Sequence, residues 1–163
     1  MRAASIALIA ILIVGALVGG GLYWTRNNKL QLNGQVLSVR SFAPEPNQTI
    51  TVIDFRVTNP SPDQFVVKDV DVYLDTKDGK TVDAANFGDA DAQRVFDYYK
   101  VLGKKYNQTL LTREKINPGQ TVDRMIAVRF DVSDQDVTNR KAIKVVISDI
   151  DGQAKSEITE TRK

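Results

Sequence analysis

The chain has 163 residues, in which 22 basic and 20 acidic side chains are interspersed to give a formal net charge of +2. Without a Lys/Arg block, this is not the charge pattern of a nucleic-acid-binding protein. Cysteine and histidine are both absent, which excludes disulfides, Ser-His-Asp and Cys-His catalysis, and any metal site that needs thiolate or imidazole ligands.

The N-terminal segment, residues 3–24, contains no charged side chain. As a helix it would rise about 33 Å, enough to cross a hydrocarbon core of about 30 Å. Tyr23 and Trp24 are placed where an interfacial aromatic belt belongs. The sequence therefore predicts a single transmembrane signal-anchor over residues 1–24, followed by a short linker over residues 25–29.

A cleavable secretory signal is the alternative, because the glycines at 19–21 could serve as a small-residue cleavage site. Its apolar region would span only about 7 to 15 residues, however. Flanking charges do not decide the orientation, but a signal-anchor this near the start commonly exports the domain behind it. We therefore expect the C-terminal domain on the extracytoplasmic side, periplasmic or extracellular. Gly15 and Gly19 form a G-x-x-x-G pair that could support weak self-association of the span.

From Leu30 onward the hydrophobic period is two, which is typical of strands with one buried face. Four segments alternate clearly, with these residues pointing inward: Ile53, Phe55, Val57; Val70, Val72, Leu74; Ile126, Val128, Phe130, Val132; Ile143, Val145, Ile147. Weaker strand signals cover 30–42, where Gly34 suggests a bulge, 81–87, 109–116, and the residues after Gly152. Tight turns are predicted at Asp78-Gly79, Pro118-Gly119 and Asp151-Gly152. The pattern predicts an all-β antiparallel sandwich of about seven strands over residues 30–163.

One segment, residues 89–102, breaks the β pattern and predicts an amphipathic helix. Asp89 is the expected N-cap, and Gly103 is placed to end the helix. Its apolar face consists of Ala92, Val95, Phe96, Tyr99 and Leu102. We expect this face to pack over an open end or edge of the sandwich.

Three tyrosines in and after this helix form the candidate interaction surface: Tyr98, Tyr99 and Tyr106. Aromatic side chains are enriched at protein interfaces. The alternative is that they belong to the core.

The strands TVIDFRVTNPSP (51–62), VDVYLDTKDGK (70–80) and INPGQTVDRMIAVRFDV (116–132) resemble those of the bacterial telokin-like surface domains and of the type 2 late-embryogenesis-abundant, or water-stress, domains. The resemblance implies an immunoglobulin-like fold and an extracytoplasmic setting, and it supplies no catalytic residues. The chain departs from both groups in its 89–102 helix and in lacking the N-terminal cysteine of a lipoprotein.

No motif of a catalytic nucleophile or a phosphate-binding loop occurs. Asp69, Asp71 and Asp75 are expected on a solvated strand face, and the acidic run at 149–152 is expected to form a hairpin turn rather than a calcium loop. We therefore predict a non-enzymatic protein without cofactor or metal. The expected function is binding, with another protein as partner; a structural or stress-protective role and a small-ligand carrier are the alternatives.

Overall fold

The structure, a computed structural model, describes residues 14, 15, 19, 30–152 and 154–160. The chain divides into Met1–Leu30 and Gln31–Lys163, and the strands and helices with stated bounds belong to the second unit. The predicted anchor and linker lie outside the described residues, apart from positions 14, 15 and 19, whose backbone is helical. In the part of the chain that is described, no helix has the length and apolar character needed to cross a membrane.

Ten strands are present in the described residues: β1 (Asn33–Glu45), β2 (Gln48–Thr58), β3 (Phe65–Asp75), β4 (Thr81–Asp83), β5 (Ala85–Asn86), β6 (Gln108–Thr109), β7 (Lys115–Ile116), β8 (Thr121–Phe130), β9 (Ala142–Asp149) and β10 (Lys155–Thr159). They form two sheets. The first has the order β1-β2-β8-β5, with β6 also beside β8, and the second has the order β10-β9-β3-β4, with β7 also beside β3. Every pairing is antiparallel except that of β6 with β8.

The all-β prediction is confirmed, but the count of about seven strands is corrected. The predicted strands at 81–87 and 109–116 are each divided into two short strands that belong to opposite sheets. The reason is that the chain crosses between the sheets at both places. β4 pairs with β3 whereas β5 pairs with β8, and β6 pairs with β8 whereas β7 pairs with β3.

The helices also differ from the prediction. The expected helix is present as α1 (Asp89–Tyr98) followed by a 3-10 turn (Lys100–Leu102). A second helix, α2 (Asp134–Thr138), was not predicted. Its N-cap is Ser133, whose side chain accepts a hydrogen bond from the Asp136 amide. That Ser-x-x-Asp spacing is a capping signal that the sequence contained.

The core between the sheets consists of the residues predicted from the period of two. Ile53, Phe55 and Val57 of β2 are fully buried, and the inward residues of β3, β8 and β9 are buried with them. The prediction for Val132 is wrong, because β8 ends at Phe130 and Val132 is only half-buried. β10 pairs with β9 at one end of the second sheet, and Ile158 of β10 is buried. The predicted glycine turns are confirmed, with φ of 82° at Gly79, 71° at Gly119 and 69° at Gly152.

Gly34 does not mark a bulge, because the register shifts of β1 fall between Val36 and Ser38 and between Phe42 and Glu45. Its role is to permit close packing. A Cβ at this position would lie 2.7 Å from Ile158 Cδ1 and 2.8 Å from the Arg56 carbonyl oxygen. Both distances are shorter than van der Waals contact, so a side chain here would push β10 away from β1.

A second apolar cluster covers the outer face of the first sheet. Its strand residues are Ile50, Val52, Met125 and Ala127, and its residues from the inserted helix and turn are Ala92, Val95, Phe96 and Leu102. The apolar face of the helix is therefore confirmed, but the expected position over an end or edge is wrong. The helix packs on the sheet itself because β2 carries apolar residues on both faces at its start.

Candidate functional site

The inserted segment, residues 87–107, joins β5 to β6 and carries all three predicted tyrosines. Gly88 occupies the N-cap position and makes no side-chain cap, so the prediction of Asp89 as N-cap is wrong. Asp89 is the first helical residue, where its negative charge interacts favourably with the positive end of the helix dipole. The neighbouring polar group of Thr109 and the Lys105 ammonium group, which donates a hydrogen bond to Asp89 Oδ1 at 3.0 Å, hold the pKa of Asp89 below its usual value. The bond from Lys105 connects the start of α1 to the end of the inserted segment.

Arg40 of β1 fixes the other end of the segment. Its Nη1 donates hydrogen bonds to the carbonyl oxygen of Leu102 at 2.6 Å and to that of Lys104 at 2.8 Å. Its guanidinium also lies over two aromatic rings, 5.5 Å from the centroid of Phe96 and 4.9 Å from that of Tyr106. Such cation–π contacts add attraction when they are shielded from water.

Asp54, on the neighbouring strand β2, forms an ion pair with Arg40. Its Oδ2 accepts hydrogen bonds from Arg40 Nη2 and from Ser38 Oγ, both at 2.8 Å. Its Oδ1 accepts one from Asn107 Nδ2 at 2.8 Å. The carboxylate is 3% exposed, yet both oxygens are satisfied, as a buried charge requires. This network ties the sheet to the segment's last residues.

The structure brings two of the three tyrosines together. Tyr98 is 81% exposed, and its ring meets that of half-buried Tyr99 edge-on at 5.1 Å. Tyr99 in turn packs on Phe42 at 5.2 Å. Tyr106 is 70% exposed, but it stacks on Arg40 rather than on the other two rings. The candidate surface is therefore divided into a helix part and a part beyond the helix.

A shallow, open groove of about 680 Å³ runs beside Tyr98 and Tyr99. We call it the helix groove. Its lining consists of Phe87, Asp91, Arg94, Val95, Asp97, Tyr98 and Tyr99. Its surface is mostly apolar, from the aromatic and aliphatic members, and Asp91, Arg94 and Asp97 add charges to it, which is the composition of a protein-binding site.

Two of the acidic residues singled out from the sequence, Asp149 and Asp75, have structural partners. Asp149 accepts hydrogen bonds from the amides of Val66 and Asp151, as a turn would require. Asp75 accepts from the Thr81 hydroxyl and pairs with Lys144 at 2.7 Å. Asp69 and Asp71 border a cleft of about 270 Å³ together with Asp89. Across the described residues, no group of three or more acidic side chains is close enough to hold a metal ion.

Sequence reasoning missed three residues of the site: Arg40, Asp54 and Phe87. Arg40 and Asp54 alternate with apolar neighbours, which is the pattern of an ordinary solvated strand face. One signal was available for Asp54, because Ile50, Val52 and Ile53 just before it place apolar residues on both faces of β2. Phe87 is 11 residues before Tyr98 and lines the same groove because the helix packs on the sheet.

Comparisons with known proteins identify no relative by sequence. No protein-family model matches the chain, and no curated protein matches it. Among solved structures, an uncharacterized beta-sandwich protein from Clostridium difficile 630 is 11% identical, with a TM-score of 0.40 over 78% of this chain and 84% of that one. A functionally unknown protein from Listeria monocytogenes EGD-e is 7% identical, with a TM-score of 0.37 over 80% of this chain and 88% of that one. Both scores are low, so the fold assignment rests on the pairing of β1 to β10 in two sheets.

Proposed function

We propose that the chain is a non-catalytic binding module: an immunoglobulin-like domain, held on the extracytoplasmic side of a membrane by residues 1–24, that binds another protein through the helix groove. The observation that carries the proposal is Tyr98. It is a large aromatic side chain, 81% exposed, at the edge of an open apolar groove. Tyrosines in such positions are frequent binding hot spots.

The strand order supports the immunoglobulin-like part of the proposal. Among the seven strands of three residues or more, the first, second and fifth form one sheet, and the third, fourth, sixth and seventh form the other. Immunoglobulin-like sandwiches place strands A, B and E opposite C, F and G in the same way. The resemblance to telokin-like and water-stress domains agrees with this order. The anchor part is supported by the uncharged segment 3–24 and its aromatic end.

The charges at the groove suggest the chemistry of the partner. Arg94 Nη1 lies 3.0 Å from Asp91 Oδ1, so these two side chains largely compensate each other. Asp97 then leaves one negative charge in the groove lining, where the Gln93 amide is its one donor among the described residues, at 3.2 Å. A complementary segment would insert a large apolar side chain and carry a lysine or arginine next to it.

The exposed tyrosine also separates this function from its alternatives. A purely protective domain needs no contiguous apolar surface, whereas this segment displays Tyr98 beside an apolar groove. A small-ligand carrier would enclose most of its ligand. The helix groove is open to solvent, which suits a protein segment better than an enclosed small ligand.

The test is co-purification from detergent extracts with three forms of the full chain: the unchanged protein, Tyr98→Ser, and Ile150→Ser. Ile150 is also exposed, at 47%, but lies on the turn between β9 and β10 and serves as the matched control. We expect one protein to be retained by the unchanged chain and by Ile150→Ser but lost with Tyr98→Ser.

The retained protein is then measured directly against the three forms. A hot-spot tyrosine contributes about 2 kcal/mol or more, so Tyr98→Ser should weaken binding by about thirty-fold. Replacing the basic residue of the partner's segment by glutamine should weaken it further. Equal binding by Tyr98→Ser and Ile150→Ser would contradict the proposal.

A further inference from the structure

Residues 100–106 follow α1, and we call them the tip. They expose basic and apolar side chains, whereas the lining of the helix groove includes two aspartates. Leu102 points inward and is 2% exposed, whereas Val101 is 69% and Tyr106 is 70% exposed. Lys100 and Lys104 are exposed as well, and neither has a carboxylate partner among the described residues. Lys105, by contrast, is paired with Asp89 at 3.0 Å. The tip therefore presents two apolar side chains and two unpaired cations.

The backbone of the tip is held firmly in this arrangement. Arg40 binds the carbonyl oxygens of Leu102 and Lys104 from the sheet side. Gly103 between them has φ 78°, a conformation that other residues rarely adopt. With Leu102 anchored inward, Val101 cannot turn away from solvent without breaking these contacts. An apolar side chain fixed in the exposed state is poised for an apolar environment outside the domain.

We propose that the tip rests on an anionic lipid surface, with Val101 and Tyr106 in the interfacial layer and Lys100 and Lys104 against headgroup phosphates. Interleaved aromatic and basic side chains are the composition of membrane-interface segments. The charge argument separates this surface from the helix groove. Residues 98–107 contain no acidic side chain, whereas the groove carries Asp91 and Asp97.

This inference rests on the membrane anchor of the proposed function but uses none of the helix-groove residues, so the groove proposal and this inference can fail separately. Flotation of the full chain with vesicles would be a poor test, because residues 1–24 would themselves contribute to binding. The measurement must therefore report on residues 100–106 themselves. The chain contains no cysteine, so Val101→Cys provides a single thiol for an environment-sensitive fluorophore. Lys77→Cys, in the exposed turn between β3 and β4, is the matched control position.

The labelled full chains are incorporated into vesicles that contain a lipid with a nitroxide quencher at its headgroup. One set is made of phosphatidylcholine alone and the other of phosphatidylcholine mixed with phosphatidylglycerol. We expect the label at position 101 to be quenched more than the label at 77, and more strongly in the anionic vesicles. Adding Lys100→Gln and Lys104→Gln should lower the ratio of docked to undocked tip by about five-fold each. The double change Lys77→Gln with Lys80→Gln should leave it unchanged.

Two results would overturn the inference. One is quenching at position 101 that does not exceed quenching at 77 in either lipid. The other is quenching at 101 that is equal in neutral and anionic vesicles, since the lysines would then contribute nothing. If the label at 101 is shielded only after another protein is added, the tip is a protein contact and the lipid proposal is wrong.

Discussion

At the level of single residues, the ion pair of Arg40 and Asp54 connects the inserted segment to the sheet beneath it. The side chains are 20% and 3% exposed. The chain offers a natural comparison in Arg56 and Asp123, which form two hydrogen bonds at 2.7 and 2.8 Å but are 47% and 36% exposed. The exposed pair is bidentate, whereas Arg40 makes a single hydrogen bond to Asp54 at 2.8 Å, so the two pairs differ most in burial and the buried one has fewer direct bonds.

We predict that Arg40→Met destabilises the protein by about 3 kcal/mol, because removing one partner leaves the other charge buried. It also deprives the Leu102 and Lys104 carbonyls of their donor. Arg56→Met should cost less than about 1 kcal/mol, since an exposed pair contributes little. Equilibrium urea unfolding of the full chain in a mild non-ionic detergent measures both.

A second readout shows whether the Arg40 effect is local. Trypsin cleaves after lysine, so loss of the contacts to residues 102 and 104 should speed cleavage after Lys100 and Lys104 in Arg40→Met. Arg56→Met should be cleaved there at the rate of the unchanged protein. If both variants lose similar stability, burial of the pair does not determine its contribution and this interpretation is wrong.

At the level of elements, α1 covers the outer face of the first sheet, which would otherwise be exposed to solvent. Phe96 and Tyr98 are two aromatic residues of the same helix, one 4% and the other 81% exposed. Phe96→Ala removes a ring from the outer cluster and from its contact with Arg40. We predict a loss of about 3 to 5 kcal/mol for Phe96→Ala and a change within about 0.5 kcal/mol for Tyr98→Ala.

The same urea unfolding measurement tests this pair. A large effect of Tyr98→Ala would mean that this side chain is part of the fold, which would also remove the basis for treating it as a binding residue. Similar, small effects of both changes would mean that α1 does not pack stably on β2 and β8.

The period of two in the sequence was enough to predict which residues of β2, β3, β8 and β9 face the core. It could not place α1, because an amphipathic face specifies that the helix is covered but not by what. The outer residues Ile50 and Val52 lie on the opposite face of the strand from Ile53, and apolar residues on both faces were the available sign of a sheet buried on both sides. Tyr98, Tyr99 and Tyr106 could be found from the chain alone. Their separation into two surfaces depends on Arg40, 66 residues before Tyr106, and local patterns carry no such information.

At the level of the whole molecule, the absence of cysteine and histidine determines how stability should depend on pH. No side chain of the chain has an ordinary pKa between those of the carboxylates, near 4, and those of tyrosine and lysine, near 10. The groups with shifted values lie at the two ends of this range. The pKa values of Asp75, Asp89 and Asp123 are lowered, chiefly by the neighbouring side-chain groups of Lys144, Thr109 and Arg56 respectively, and Asp75 raises the pKa of Lys144.

A carboxylate whose pKa is lower in the folded state stabilises the protein above its unfolded pKa and loses that contribution as the pH falls through the folded value. A lysine with a raised pKa stabilises below its unfolded value and loses the contribution as the pH rises through the folded one. We therefore predict a urea midpoint that is constant between about pH 6 and pH 9 and falls on both sides. Asp75→Asn should lower the plateau and make the acid-side fall shallower, because it removes one of the shifted groups and its bond to Lys144. Asp78→Asn, in the exposed turn next to it, should change neither. A step in the midpoint near pH 6.5, or equal behaviour of the two variants, would show that charges other than these pairs control the stability.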